Sequence, residues 1–356
     1  MKDKAVLIVL DSLKYQVKEA ELTKKIENLC FPEYYYTYYE NALVRFFHGL
    51  PVIGNFFSHL AYWSISLKSA FLIFFKKKKV TTKIFINPIV AIFYCLITRI
   101  FPREEQVTIA GFLFEDKSNK FYLRARKAFV NFSYKNTDRI IVYSNNEVKY
   151  YSTIFPSLTK KFYFVEYGRD FDIFEENVYQ FESNYYSSGG VSNRDFVTLL
   201  EASKLLLSKY PQLVCNIATR PQGIAAESAP ENVNVLYNIR IDTFGSFLKK
   251  SLFVVLPLAN TKLSAGHMAL LEAMSLGKVI LITDIPSVRD YVNECQVFFY
   301  APENPMDLAE KIEHIYLNLG SEDVGNKAQA AFKSYSKSYT FGSLLKRLVE
   351  LSMNNF

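Results

Sequence analysis

Short apolar runs alternate along this chain with stretches of helical periodicity, and capping residues punctuate the changes. Ala5–Leu10 is an unbroken apolar run that ends at Asp11-Ser12, residue types that cap helices, and a polar helical stretch continues to Leu29. Residues 33–41 are tyrosine-dense and β-prone. Further strands are expected over 83–87, 107–112, 139–144 and 161–166, with helices over 89–100, 120–134 and from Asn145-Asn146 to Phe155 between them. Tyr167-Gly168-Arg169-Asp170 reads as a linker, and the rhythm restarts beyond it. Strands are expected at 184–187, 213–218, 233–236, 253–256, 279–282 and 297–300, with helices at 196–209, 243–250, 267–276 and 287–292. This alternation predicts two α/β halves, each a mainly parallel sheet covered by helices on both faces.

The segment 56–75 does not fit the rhythm so simply. It has about the length of a membrane span, yet it contains His59 and Lys68 and is diluted by Ser58, Ser64, Ser66 and Ser69. Three readings stay open: a transmembrane helix, an interfacial helix dipping into a membrane, and a buried crossover helix. The lysine run 76–79 that follows favours contact with an anionic leaflet, each lysine contributing about 1 kcal/mol near such a surface.

Charge sharpens the picture. Residues 1–170 carry 26 Lys and Arg against 15 Asp and Glu, net +11, whereas residues 171–356 carry 16 against 20, net −4. A basic first half is expected to meet something anionic: phospholipid, a lipid-linked diphosphate or nucleic acid. No nucleic-acid-binding motif accompanies the charge, and its basic residues are dispersed among strands, which disfavours nucleic acid. Cys30, Cys95, Cys215 and Cys295 are scattered, form no disulfide framework and have no histidine beside them for a zinc site. They read as inert thiols of a reducing cytoplasm. The first residues are too poor in apolar side chains for a signal peptide, so the active part is expected to face the cytoplasm, peripheral on the inner face of the membrane.

Three segments of the second half carry candidate chemistry. Ser187-Ser188-Gly189-Gly190-Val191-Ser192-Asn193-Arg194-Asp195 joins a strand to a helix. Its glycines let a ligand approach the backbone, and Arg194 can pair with a diphosphate. Ser264-Ala265-Gly266-His267 opens a second helix whose first amides, at Gly266 and His267, point at any anion present. Within that otherwise apolar helix stands Glu272, held by backbone donors or accepting hydroxyls from a sugar ring. A histidine at a helix start is more often structural than catalytic. The third segment, Thr283-Asp284-Ile285-Pro286, follows a strand on the same sheet edge.

Glu272-Ala-Met-Ser-Leu-Gly-Lys-Val-Ile resembles the Glu-Ala-Met-x-x-Gly-x-Pro-Val signature of glycosyltransferase family four, the large retaining family with the two-domain GT-B fold. Asp138-Arg-Ile-Ile-Val-Tyr-Ser resembles the last strand of that family's first domain, Tyr167-Gly-Arg-Asp its linker, residues 188–202 its first second-domain loop and helix, 297–311 a late strand and helix, and 331–351 its closing helix. The resemblance covers most of residues 138–351. It implies a GT-B fold of two Rossmann-like domains. Residues 1–168 would form the acceptor-side domain, with 336–356 crossing back onto it, and 169–335 the nucleotide-sugar-binding domain, a cleft lying between them.

It also implies roles at matching positions: Arg194 on the donor diphosphate, Gly189 and Gly190 in the phosphate-approach loop, Gly266 and His267 at the amide-donating helix start. Glu272 would hold the ribose hydroxyls, and Asp242 and Thr243 would precede the helix that borders the base. Arg194 and Glu272 are the expected catalytic pair. The chain departs from the family at Ser264, which stands where a glutamate usually contacts the transferred sugar. The one Asp-x-Asp pair, Asp170-Phe-Asp172, starts in the linker and lies outside the three candidate segments, and a metal-independent site without a cofactor is expected, cationic side chains and helix amides neutralising the diphosphate.

The expected activity is hexosyl transfer from a UDP- or GDP-sugar to a lipid-linked or oligosaccharide acceptor, typical of bacterial surface-polysaccharide and capsule synthesis. The competing readings are a nucleic-acid- or membrane-binding protein without enzymatic activity, an inactive GT-B partner subunit, and a dinucleotide oxidoreductase. The last is disfavoured because no Gly-x-Gly-x-x-Gly follows the first strand.

Overall fold

The computed structural model describes residues 4–11, 14–37, 54–76, 80–115, 119–171, 185–225 and 228–353. The chain divides into two compact units: Met1–Val165 together with Gly342–Phe356, and Glu166–Phe341.

Among the described residues of the first unit, β1 (Ala5–Leu10), β2 (Phe31–Tyr36), β3 (Thr82–Phe85), β4 (Gln106–Ala110), β5 (Arg139–Val142) and β6 (Phe162–Phe164) form one parallel sheet in the order β2-β1-β3-β4-β5-β6. The unbroken apolar run of β1 follows from its central place. Val6 to Leu10 are wholly buried, because a parallel strand covered on both faces has no solvent side to make polar. The helices are α1 (Lys14–Val17), α2 (Glu19–Ile26), α3 (Gly54–Phe75), α4 (Pro88–Ile100), α5 (Lys120–Ser133) and α6 (Asn145–Ile154). Helix α4 starts where the sequence allows. Asn87 accepts hydrogen bonds from the amides of Ile89 (3.0 Å) and Val90 (3.2 Å), and Pro88 fills the first position without an orphan N–H. The connections from β2 to β3, β3 to β4 and β4 to β5 all step the same way across the sheet. Right-handed crossovers therefore lay α3, α4 and α5 side by side on one face, with α4 packed against both neighbours.

The second unit holds β7 (Tyr185–Gly189), β8 (Val214–Thr219), β9 (Val233–Tyr237), β10 (Val254–Leu256), β11 (Ile280–Thr283) and β12 (Phe298–Tyr300), parallel in the order β12-β11-β10-β7-β8-β9. Its helices are α7 (Phe196–Leu207), α8 (Ile241–Lys250), α9 (His267–Ser275), α10 (Pro286–Arg289), α11 (Pro305–Leu317) and α12 (Glu322–Ser338). One core cluster joins Tyr186, Leu199, Cys215, Phe253, Leu308 and Ile312, with the Tyr186 and Phe253 rings stacked at 5.2 Å.

The strand–helix alternation expected from the sequence is the observed one in both units. The closing helix differs. Residues 331–351 are not continuous: α12 ends at Ser338, and α13 (Phe341–Met353) begins after a break. Tyr339 causes it by turning inward to donate to the Tyr291 carbonyl (2.7 Å), while the Phe341 amide leaves the ladder for the Asp170 carboxylate (3.1 Å). The transmembrane reading of 56–75 falls, because no helix among the described residues is long and apolar enough to cross a membrane. Of the lysine run, Lys77 to Lys79 lie outside the described residues.

Candidate functional site

In the second unit β7 and β10 are neighbours, yet the chain leaves them in opposite directions: β7 leads toward β8 and β9, β10 toward β11 and β12. Such a reversal of strand order opens a crevice at the carboxyl ends of the two strands, where open α/β sheets take ligands. The loop after β7 and the loop after β10 flank it. They are stitched together: the Asp195 amide donates to the Pro257 carbonyl (3.0 Å), the Ala259 amide to Asn193 (3.0 Å), and Arg194 bridges Leu258.

The β7 loop requires its two glycines. A Cβ on Gly189 would stand 2.8 Å from the Ala218 carbonyl and from Phe244. Gly190 has φ +121, a conformation that L side chains rarely adopt, and a Cβ there would lie 2.6 Å from Cζ of Arg194. The guanidinium thus rests on bare backbone, with Nε donating to the Gly189 carbonyl (2.8 Å) and Nη1 to Ser192 (3.0 Å). Burial pulls the Arg194 pKa down to about 10, so the group stays a cation at neutral pH. Asp195 caps the next helix, taking the Thr198 amide at 3.1 Å and its hydroxyl at 2.6 Å.

Helix α9 begins without such a cap. Gly266 holds the N-cap position at φ +77, so the cap residue has no side chain to bond the first amides, and the first turn has no acidic residue. A Cβ on Gly266 would lie 2.6 Å from Leu258. The positive end of the helix dipole therefore meets no acidic side chain within the first turn.

His267, the first residue of α9, is buried. Its Nε2 lies 3.2 Å from the Ser287 carbonyl, and its ring lies 4.2 Å from that of Tyr291. Burial drives the His267 pKa down to about 4 against the opposing pull of the Ser287 carbonyl and Asp290, and the Arg194 cation lowers it further. The imidazole is therefore neutral at physiological pH. With Nε2–H facing the Ser287 carbonyl, the ring is tied to the backbone after β11.

The structure gathers Gly189, Gly190, Arg194, Gly266 and His267 around the two loops. Glu272 lies five residues further along α9, about 7.5 Å at 1.5 Å per residue, and faces α8: its Oε1 is 2.9 Å from where a Cβ on Gly245 would stand. At the start of α8 the Thr243 hydroxyl donates to the Arg240 carbonyl (2.8 Å). The Asp242 side chain lies outside the described residues. Ser264 is half-buried in the β10 loop. At the end of β11, Thr283 accepts from the Leu258 amide (2.8 Å) and fixes the β10 loop, whereas Asp284, the next residue, is held in a two-pronged pair with Arg289, 2.6 and 2.7 Å. Arg289 keeps the Asp284 carboxyl below the usual range, and Asp284 is engaged structurally.

Sequence reading missed one feature. A pocket of about 550 Å³ opens beside the β7 loop, lined by Val191, Ser192, Arg220, Gln222 and Asn238 among others. Arg220 and Asn238 each directly follow a strand end, and Asn238 takes a positive φ of 54. A polar residue in the first place after a parallel strand is the signal that could have found them.

The two parallel six-stranded sheets, each helix-covered, define the GT-B class, and solved structures agree. A glycosyltransferase from Rickettsia africae is similar with a TM-score of 0.62 at 15% identity, covering 99% of this chain and 98% of that one. Sucrose-phosphate synthase from Thermosynechococcus elongatus is similar at 0.59 and 11%, covering 98% of each chain. HepE of Anabaena in complex with UDP is similar at 0.58 and 13%, covering 99% of each. No curated protein sequence matches the chain. Residues 186–318, from β7 through α11, match the family model described as glycosyl transferases group 1. The matched segment lies within the second unit and includes Arg194 and the loops after β7 and β10.

Proposed function

We propose that the chain transfers a hexose from a nucleoside-diphosphate sugar to a hydroxyl of a lipid-linked or oligosaccharide acceptor, with retention at the anomeric carbon. The supporting observation is the pairing of a cation with bare amides: Arg194 and the uncapped start of α9 border one crevice at the reversal of strand order. Both stabilise the same thing, negative charge developing on a departing diphosphate. The acceptor oxygen bonds the anomeric carbon, the bond from that carbon to the β-phosphate oxygen breaks, and the electron pair leaves with the phosphate. The acceptor proton passes to that same oxygen. Glu272 takes the ribose hydroxyls, and Thr243 with Asp242 borders the base. Charge neutralisation by Arg194 and the amides leaves no step that needs a metal.

The UDP complex of HepE favours a uridine nucleotide. The basic first unit serves the acceptor, and its charge suits a lipid-linked diphosphate at the cytoplasmic face of a bacterial membrane, in surface-polysaccharide assembly. A thermal-shift panel tests the reading. UDP should raise the melting temperature more than GDP does, since saturation at a hundred times Kd adds about 2.7 kcal/mol. Arg194→Ala should abolish that shift and lower turnover at saturating donor. Unchanged turnover in that variant refutes the role of Arg194. Ser264, in place of the family's glutamate, favours a second reading, an inactive partner subunit. UDP binding without transfer or hydrolysis of any sugar nucleotide would support it.

A further inference from the structure

Helix α3 is turned the wrong way for a helix packed in water. Ser58, Ser66 and Ser69 are buried with Ala70 and Ile73, whereas Leu60, Trp63, Leu67, Phe71, Leu72 and Phe75 are exposed. A soluble fold places the apolar stripe inward. The exposed surface continues across its neighbours. Trp63 meets Phe93 of α4 edge-on at 6.2 Å, and Arg99 of α4 lies 3.8 Å over the ring of Phe132 on α5. On α5, Phe121 is 83% exposed, with Tyr122, Phe129 and Phe132 also open to solvent. Neither Asp nor Glu occurs anywhere in α3, α4 or α5, yet they carry Lys68, Arg99, Lys120, Arg124, Arg126 and Lys127.

We propose that this three-helix face docks on an anionic lipid bilayer. Leu60, Trp63, Leu67, Phe71 and Phe121 enter the interface, and the cations meet lipid phosphates. Aromatic side chains flanked by Lys and Arg suit the headgroup boundary, and no described helix is built to go deeper. A second copy of the same face would bring like charges together, so lipid fits better than self-association. The purpose of docking rests on the lipid-linked acceptor proposed above; the docking itself does not.

Trp63 is the only tryptophan in the chain and is 55% exposed, so its emission reports contact directly. Titrating the full chain with vesicles of phosphatidylcholine and phosphatidylglycerol should move the emission to the blue, and phosphatidylcholine alone should not. Lys120→Gln, Arg124→Gln and Lys127→Gln should each weaken partition about five-fold, the equivalent of roughly 1 kcal/mol per basic residue near an anionic surface. Phe121→Ser should weaken it further. UDP binding by calorimetry should be the same in all four variants, so that loss of docking is separable from loss of the nucleotide site. If docking occurs but UDP does not bind, the enzymatic reading fails and the docking stands. Emission unmoved by anionic vesicles overturns the proposal, as do variants that bind as tightly as the parent. So does shielding of Trp63 in a concentration-dependent dimer without lipid.

Discussion

The buried imidazole of His267 makes stability depend on pH in a way that can be worked out beforehand. Its folded pKa of about 4 lies below the ordinary 6.5, because burial disfavours the charged ring and Arg194 adds its repulsion. Above pH 6.5 both folded and unfolded chains leave the ring neutral, and the residue contributes no pH dependence. Between 6.5 and 4 the unfolded chain takes up a proton that the folded chain refuses, so stability falls as pH falls. At pH 4.5 the linkage amounts to about 2.5 kcal/mol, from 1.36 kcal/mol per pKa unit. His267→Gln keeps a donor toward the Ser287 carbonyl and removes the titration. Urea unfolding followed by circular dichroism at pH 7.5 and 4.5 should show the parent losing about 2.5 kcal/mol more than the variant between these values. All other groups cancel in that double difference. If parent and variant lose the same stability, the ring is not held neutral by burial.

Three further substitutions probe the site and the first unit. Gly190→Ala forces a Cβ into the Arg194 guanidinium at φ +121, so stability should drop by about 1–3 kcal/mol with UDP affinity falling at least ten-fold by calorimetry. Undiminished affinity would mean the guanidinium does not hold the ligand. Gly245→Ala should separate the two readouts. Its Cβ would stand 2.9 Å from Oε1 at the far end of the flexible Glu272 side chain while alanine favours helix α8, so urea stability should change by no more than about 1 kcal/mol as UDP binding weakens. In the first unit, Lys83 and Glu105 form a pair at 2.6 Å, their side chains 7% and 11% exposed, and Tyr94 donates to the same carboxylate. Glu105→Gln leaves a buried cation against a neutral partner and should cost about 3 kcal/mol in urea unfolding while UDP affinity stays unchanged.

What the sequence made legible was local. Ala5–Leu10 declares itself through continuous apolarity, and α9 through small residues, Gly266 and a closing Gly277. The glycines of the β7 loop and the cation beside them could also be found by spacing alone. What escaped depends on residues far apart in the chain. The break between α12 and α13 is set by Tyr339 reaching Tyr291 and by Asp170 taking the Phe341 amide, contacts that no window of neighbouring residues contains. The pocket lined by Ser192, Arg220 and Asn238 assembles from the ends of three strands. Arg194 read as a cation free for a diphosphate, whereas two of its nitrogens are already committed to carbonyls of its own loop, which fixes its direction at the expense of some donors. In α3 the serines looked like dilution of an apolar run. They lie inward instead, on a helix packed closely against α4, a neighbour that periodicity does not encode.

Helix α13 packs against a sheet that was translated long before it. Its Ser352 carbonyl accepts from Arg139 on β5 (3.3 Å), and its hydroxyl donates to Thr108 on β4 (2.8 Å). Leu345 and Leu348 of the same helix are wholly buried. All of Glu166–Phe341 is synthesised between the two parts of that unit. At 5–20 residues per second this leaves roughly ten to thirty-five seconds during which one face of the early sheet emerges from the ribosome with its cover still unmade. The uninterrupted unit is free to close first, and the earlier-born one must wait for its last helix, a window in which holdase chaperones have an apolar surface to occupy.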